Sequence, residues 1–280
     1  MVQLGVLKIG CIGSAPLLEF ILDERAERQD LSTRVLGTGA SMSSQLCTAA
    51  AEELSAYNPD LAIMVSPNAT LPGPRKAREI LVKNQIPTIV ISDSPTRKIA
   101  KELAAQGVGY IIPEAESMIG ARREFLDPVE MALFNADIIK VLAGTGVINR
   151  IVSTIDDVIT SIKNGENPTL PTLIIEKNQA INAARYANPY ARAKAIAAHE
   201  ISRRVASLNS EGCFVLKDWV QYTTIVTAAH EMMRSAAKLI DEAREIEKAN
   251  NTVHRQPHAK NGTTLIKTQL IEKPKKVEDS

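Results

Sequence analysis

The amino-acid sequence predicts an α/β protein: a doubly wound parallel sheet in the N-terminal part, followed by a mainly helical part with a small accessory sheet. Three observations carry this reading. Up to Ile112, short apolar runs alternate with amphipathic stretches, which is the pattern of strands joined by crossover helices. Two of those runs, Leu61-Ala62-Ile63-Met64-Val65 and Thr88-Ile89-Val90-Ile91, are unbroken, as strands covered on both faces are. After Pro113 the β-branched runs thin out and spacing by three and four takes over.

In chain order, Val2 to Ile9 reads as the first strand, Pro16 to Ala26 as a helix, Arg34 to Leu36 as the second strand and Ser44 to Leu54 as a helix. Leu61 to Val65 is the third strand. The helix Pro74 to Val82, the strand Thr88 to Ile91, the helix Arg97 to Ala105 and the strand Val108 to Ile112 complete a five-stranded α/β domain over residues 1–115. Residues 116–280 form the helical region. There the helix Pro189 to Leu208 carries an apolar stripe of Tyr190, Ala193, Ala197, Ile201 and Val205. A long helix from Tyr222 to Asn250 carries another, of Ala229, Met232, Ala236, Leu239, Ala243 and Ile246. Stripes so rich in alanine allow close helix approach, within the chain or against another subunit. Thr172 to Ile175, Cys213 to Leu216 and Thr264 to Lys267 are short candidate strands of an accessory sheet, and Lys273 to Ser280 is a charged tail.

Composition narrows the function classes. With 33 Lys+Arg against 32 Asp+Glu the net charge is +1, which gives no field to draw the whole chain onto nucleic acid or an anionic membrane. Anion binding is therefore expected to be local. Cys11, Cys47 and Cys213 are an odd set without a Cys-x-x-Cys pair, so neither a disulfide framework nor a structural zinc site is expected, and a reducing cytoplasm suits them. No stretch reaches the roughly 18 uncharged apolar residues of a membrane span.

Open parallel sheets bind ligands beyond the carboxyl ends of their strands. The segments that follow the predicted strands are built of small and polar residues: Gly10-Cys11-Ile12-Gly13-Ser14, Gly37-Thr38-Gly39, Ser66-Pro67-Asn68 and Ser92-Asp93-Ser94-Pro95. Each taken alone is explained as a tight turn or a cap. Four at one edge favour a pocket. No Gly-x-Gly-x-x-Gly occurs, which opposes the usual dinucleotide fold, and no phosphate-binding loop with Gly-Lys-Ser/Thr is present. His199-Glu200 and His230-Glu231 have Arg203 and Arg234 where a helical zinc protease needs its second histidine, so both histidines read as structural. Arg75, Lys76 and Arg78 set three cations at a helix start, where the helix dipole disfavours them, as a basic turn or an anion clamp. Asp127, Pro128 and Glu130 have the chemistry of a helix cap. That does not account for Arg122 and Arg123 just before it, or for Asn135 in a largely apolar helix; such groups suit a flat heterocycle with an acidic tail.

The runs GARREFLDPVEMALFNADIIKVLAGTGV (Gly120 to Val147), PNATLPGPRKARE (Pro67 to Glu79), LDERAER (Leu22 to Arg28) and AAHEMMR (Ala228 to Arg234) resemble the F420-dependent methylenetetrahydromethanopterin dehydrogenases of methanogenic archaea, over essentially the whole chain. The resemblance implies reversible hydride transfer from methylenetetrahydromethanopterin to coenzyme F420, a deazaflavin that acts as a dissociable cosubstrate, with no flavin or metal. It also implies a homohexamer, a trimer of dimers, acting on tetrahydromethanopterin or tetrahydrosarcinapterin derivatives. On this view Gly10, Cys11, Ile12, Gly13, Ser14, Thr38, Pro67, Asn68 and Asp93 are candidates for the deazaflavin side. Arg122, Arg123, Asp127, Glu130 and Asn135 are candidates for the pterin side, and no catalytic residue is assigned. A nicotinamide-dependent or hydrogen-forming methylene-pterin dehydrogenase, and a non-enzymatic small-ligand sensor, are the competing readings.

Overall fold

Val2–Lys8 forms β1, and the sheet grows outward from it in both directions. The computed structural model describes residues 1–16, 28–118, 122–125 and 127–276, apart from the side chain of Arg123. The helix expected from Pro16 to Ala26 falls almost wholly outside these residues. β2 (Leu31–Gly37), β3 (Leu61–Ser66), β4 (Thr88–Ser92), β5 (Gly109–Pro113) and β6 (Thr172–Ile175) complete one parallel sheet in the order β2-β1-β3-β4-β5-β6. Every residue of β3 and of β4 is buried, as their unbroken apolar sequences require. Each such Leu, Ile, Val or Met contributes about 1.5–3 kcal/mol through burial.

The connections are helical: α1 (Ser44–Ala56), α2 (Pro72–Lys83), the 3-10 turn Ser94–Ile99 and α3 (Ala100–Ala105). Ser43 caps α1 by accepting the Leu46 N–H. Cys47, Ala51 and Leu54 of α1, Ala77 and Leu81 of α2 and Leu103 of α3 join Leu7, Met64 and Val90 of the strands in one apolar cluster. The expected helix over Arg97–Ala105 is thus a 3-10 turn followed by a short α-helix, because Asp93 and Pro95 start the turn ahead of Arg97.

The chain divides into two compact units, Met1–Glu114 with Ile151–Ile175, and Ala115–Arg150 with Glu176–Ser280. Residues 151–175, which the sequence reading placed in the helical region, fall in the first unit. The reason is β6: Thr172–Ile175 is the sixth strand of the main sheet, paired with β5 from Tyr110↔Thr172 to Pro113↔Ile175, and not part of an accessory sheet. α5 (Val147–Lys163) leads to it and buries Ile151, Ile155, Val158 and Ile159, one face at three-and-four spacing.

The second unit contains α4 (Pro128–Gly144), α6 (Lys177–Ala184), α7 (Pro189–Ser210) and α8 (Trp219–Ala249), with α7 and α8 packed along their lengths. The buried faces differ from the expected stripes. On α7 they run through Ala191, Ala195, Ala198, His199, Ser202, Val205 and Ala206, leaving Tyr190 78 % exposed. On α8 they run through Ala229, Met233, Ala236, Ile240, Ala243 and Glu247, with Met232, Leu239 and Ile246 only half-buried. Polar residues supply part of each buried face, so a stripe drawn from apolar residues alone lies one position off. Cys213–Leu216 is not a strand either: Glu211–Val215 continues α7 as a π-helical turn. Gly212 makes this turn possible, since a Cβ there would stand 2.7 Å from Val226 Cγ2 of α8. The accessory sheet is a two-residue antiparallel pair, β7 (Leu265–Ile266) with β8 (Lys275–Lys276). Among the described residues no single helix is long and apolar enough to cross a membrane.

Ahead of β2, Arg28 and Asp30 form a buried ion pair at 2.6 Å, extended by Lys163 of α5 at 2.9 Å and Asp156 at 3.7 Å. Burial alone would raise the Asp30 pKa, but the hydrogen bonds and charges of Arg28 and Lys163 outweigh it and hold the carboxyl well below the usual range. A depressed carboxyl pKa stabilises the fold fully above the ~3.9 of an unfolded aspartate, and this contribution is lost as pH falls below that value towards the folded one. Urea unfolding of Asp30→Asn is therefore expected to show a lower midpoint at neutral pH and a shallower loss of stability below pH ~4 than the wild type. Parallel acid profiles for the two proteins would remove this ion cluster from the stability of the first unit.

Candidate functional site

In the first unit, β3 lies beside β1 while β2 lies on β1's other side, so the winding direction reverses between them. Ligands bind at such switch points, beyond the carboxyl ends of the two diverging strands. The segments found there are Gly10–Ser14 after β1 and Pro67–Asn68 after β3. They touch: Gly10 has φ +72°, and a Cβ on it would sit 3.1 Å from Pro67 Cδ and 3.2 Å from Met42 Cγ. Glycine is needed at that position for its left-handed backbone as well as for space. Cys11 is exposed, whereas Ile12, Gly13 and Ser14 are buried.

Asn68 is half-buried and accepts both the amide and the hydroxyl of Thr70 through Oδ1 (3.0 and 2.6 Å), an Asx turn that leaves its Nδ2 donors for other work. Thr38 spends its hydroxyl on the Ser41 carbonyl (2.6 Å), so it shapes the turn after β2. Asp93 is 1 % exposed and accepts the Ser94 N–H (2.5 Å) as the cap of the 3-10 turn.

A buried hydroxyl network escaped the sequence reading. Ser92 Oγ donates to the Ser66 carbonyl (2.6 Å) and lies 2.6 Å from Thr96 Oγ1, and the Ala69 N–H donates to Thr96 Oγ1 (3.0 Å). Arg78 grips the same residue from its other end, by donating to the Ala69 carbonyl (3.2 Å). The loop after β3 is thereby fixed at both its N–H and its C=O. This resolves the basic run at the start of α2. Arg78 is buried and structural, and burial lowers its pKa despite the Glu102 and Glu79 carboxylates. Arg75 is exposed and paired with Glu79 at 2.9 Å, and Lys76 is exposed. The three cations form no clamp.

In the second unit Arg122 is half-buried and bonded to backbone. Its Nε donates to the Gly212 carbonyl (3.1 Å) and its Nη2 to the Leu216 carbonyl (2.9 Å), and its guanidinium lies 4.2 Å from the centre of the Tyr222 ring. It clasps the two ends of the π-helical turn, so part of the guanidinium expected to meet a ligand's acidic tail holds backbone. The expectation for Arg123 concerns a side chain outside the described set. Asp127 caps α4 by accepting the Val129 N–H (2.9 Å), as its cap chemistry foresaw.

Glu130, one turn further along α4, meets two residues of α8. Its Oε1 accepts from His230 Nδ1 (3.1 Å), and Arg234 Nη2 lies 3.3 and 3.2 Å from its two oxygens. His230 is 2 % exposed, stacked on Phe134 (4.0 Å between centroids) with Phe125 edge-on (4.7 Å). Burial pushes the imidazole below its ordinary pKa although Glu130 pulls the other way, and among the described residues its Nε2 has no hydrogen-bond partner. The carboxylate of Glu130 is thus held by one imidazole and one guanidinium. The signal for this was present as a His and an Arg four residues apart, on one face of a helix. Asn135 is half-buried and makes no hydrogen bond among the described residues. His199 is fully buried on α7. Among the described residues no three His, Cys, Asp or Glu side chains are grouped to hold a metal ion.

Comparison with known proteins places these features in a family. A family model described as methylene-5,6,7,8-tetrahydromethanopterin dehydrogenase matches residues 2–275. An F420-dependent methylenetetrahydromethanopterin dehydrogenase of Archaeoglobus fulgidus is 53% identical over 98% of this chain and 99% of its own. That of Methanothermobacter marburgensis is 48% identical over the same shares. A solved structure of an F420-dependent methylene-tetrahydromethanopterin dehydrogenase, in complex with methylene-tetrahydromethanopterin and coenzyme F420, superposes with a TM-score of 0.93 at 43% identity, covering 98% of this chain and 100% of that one.

The clasp by Arg122 generates a measurable expectation. Arg122→Ala leaves two carbonyls without their donors and is expected to cost about 1–3 kcal/mol of stability. It should also shift the emission of Trp219, the chain's single tryptophan, at the start of α8. An unchanged unfolding midpoint and an unchanged spectrum would show that the clasp contributes nothing to the fold.

Proposed function

The chain belongs to the methylene-5,6,7,8-tetrahydromethanopterin dehydrogenase family, and on that footing we propose that it is an oxidoreductase moving a hydride reversibly between methylene-tetrahydromethanopterin and coenzyme F420. The observation that carries this is the full-length likeness, TM-score 0.93 at 43% identity, to an enzyme solved with both of those molecules. When bound, the deazaflavin supplies a ring carbon that accepts the hydride, leaving the pterin as its methenyl cation.

The protein's part is positioning: donor and acceptor carbons must be held roughly 3–3.5 Å apart, and no covalent nucleophile is required. The switch-point crevice suits the edge of a flat ring. Gly10 brings bare backbone to its mouth, Asn68 retains amide donors, and the backbone of Ala69 is pinned by Thr96 and Arg78. We assign Gly10, Cys11, Ile12, Gly13, Ser14, Thr38, Pro67, Asn68 and Asp93 to the deazaflavin side, with Thr38 and Asp93 acting through the turns they close. On the pterin side we assign Arg123, Asp127, Glu130 and Asn135 to contact and Arg122 to support. An oriented anion such as Glu130 stabilises developing positive charge without taking a proton.

We propose further that the enzyme works in the cytoplasm as a homo-oligomer, a hexamer, on tetrahydromethanopterin or its glutamylated relative, with neither nucleic acid nor membrane as partner. The exposed apolar side chains of the second unit, Tyr190, Phe214, Val215, Trp219 and Val220, support self-association, because an assembly removes such surface from water.

Two measurements test the proposal. Purified protein given methylene-tetrahydromethanopterin under anaerobic conditions is expected to bleach the oxidised deazaflavin absorbance of added F420, with neither nicotinamide nor metal supplied. Binding without turnover by folded protein would favour the sensor reading instead. Sedimentation at micromolar concentration is expected to give a mass several times that of the chain, and a monomer would defeat the assembly.

A further inference from the structure

The second unit contains a cavity of about 190 Å³ that none of the assigned residues line. It lies where the end of α4, the end of α6, the last turns of α8 and residues 252–254 come together. It is smaller than the roughly 300–1,000 Å³ of pockets that take whole cofactors. A small group fits it.

Its negative groups are already satisfied. The Gly144 carbonyl accepts the Tyr186 hydroxyl (2.7 Å), a phenol that burial keeps protonated by pushing its pKa up to about 12. The Glu247 carboxylate is 3 % exposed, and it accepts the Asn188 N–H (2.7 Å) and the Thr252 hydroxyl. Its two arginines are exposed to water. Arg185 and Arg244 line the cavity, and neither guanidinium makes a hydrogen bond or ion pair among the described residues. His254 shares a side-chain hydrogen bond with Gln256, while its Nε2 is buried without a partner. Arg185 also sits at φ +53°, a left-handed position that a residue with a Cβ disfavours and that glycine or asparagine usually takes after a helix. A side chain with a task accounts for an arginine there.

We propose that this cavity is a binding site for inorganic phosphate, held by the guanidinium groups of Arg185 and Arg244 and by His254 Nε2. The imidazole selects phosphate over other oxyanions. Burial and the Arg185 charge keep His254 below its ordinary pKa, so its Nε2 carries a lone pair and needs a donor. Near neutral pH inorganic phosphate still carries at least one P–OH group, together with oxygens for the two arginine forks. Sulfate and carboxylate offer the oxygens without the hydroxyl.

The site is tested by thermal melts of the whole chain in chloride, sulfate and inorganic phosphate at equal ionic strength. Phosphate is expected to raise the Tm more than sulfate, as a ligand that binds only the folded state does. Arg244→Ala should weaken phosphate binding by about tenfold or more. Arg185→Gly relieves the left-handed strain, so it should melt at or above the wild-type temperature without phosphate yet lose the phosphate-induced rise. That pairing separates loss of the site from loss of the fold. Methyl phosphate, which has lost its last P–OH near neutral pH, is expected to raise the Tm no more than sulfate does. Equal shifts from phosphate and sulfate, or a phosphate shift that survives in both variants, would overturn the proposal. The readout needs no turnover and so stands apart from the dehydrogenase reading.

Discussion

Burial of the parallel sheet on both faces is the constraint on which the first unit depends. β3 and β4 expose no side chain, so every backbone N–H and C=O along them must be met by a neighbouring strand. Parallel pairing on both sides does this, and leaves the backbone of β3 and β4 open only at the strand ends. The reversal of winding between β2 and β3 then places the loops after β1 and β3 side by side, where Gly10 meets Pro67. The polar residues at this edge are a consequence of the same demand. Ser66, Ser92 and Thr96 are buried hydroxyls that continue hydrogen bonding where the ladder stops, and through Ala69 they set the loop in place.

The second unit meets the demand differently. Alanine-rich faces let α7 and α8 approach closely, but their polar members give the packing its specificity. Ser202 donates to the Ala115 carbonyl (2.7 Å), and Asn209 donates to the Met118 carbonyl (2.9 Å). Arg122 secures the π-helical turn that joins the helices. Glu130, His230 and Arg234 link α4 to α8 through one half-buried carboxylate. Replacing any one of these would leave a polar group without its partner, which costs more than the bond contributes when intact. A carboxylate so confined has a fixed direction.

Much of the candidate site was legible from strand ends, because small residues after apolar runs have few other uses. The roles of individual residues were harder to read. Arg122 looked like a ligand contact because two arginines before a helix cap have no local explanation; its partners, Gly212 and Leu216, lie some ninety residues away. Arg78 looked like one of three surface cations, and burial separates it from Arg75 and Lys76. Thr172–Ile175 looked like an accessory strand because a segment of four residues does not name its neighbour.

The sequence by itself determined the α/β class, the central strands, most helix positions, the small-residue edge and, through long composite motifs, the family. These features rest on local periodicity, caps and turn chemistry, which act over a few residues. Only the tertiary structure decided that β6 closes the main sheet, that Cys213–Val215 is a π-helical turn and that Arg122 serves the fold. It also decided that Glu130 is held by His230 and Arg234, and that Arg185 and Arg244 line one cavity with His254. Each of these is a long-range pairing of charge, hydrogen bond or shape, and such a pairing is set by which surfaces packing brings together rather than by the residues next in the chain.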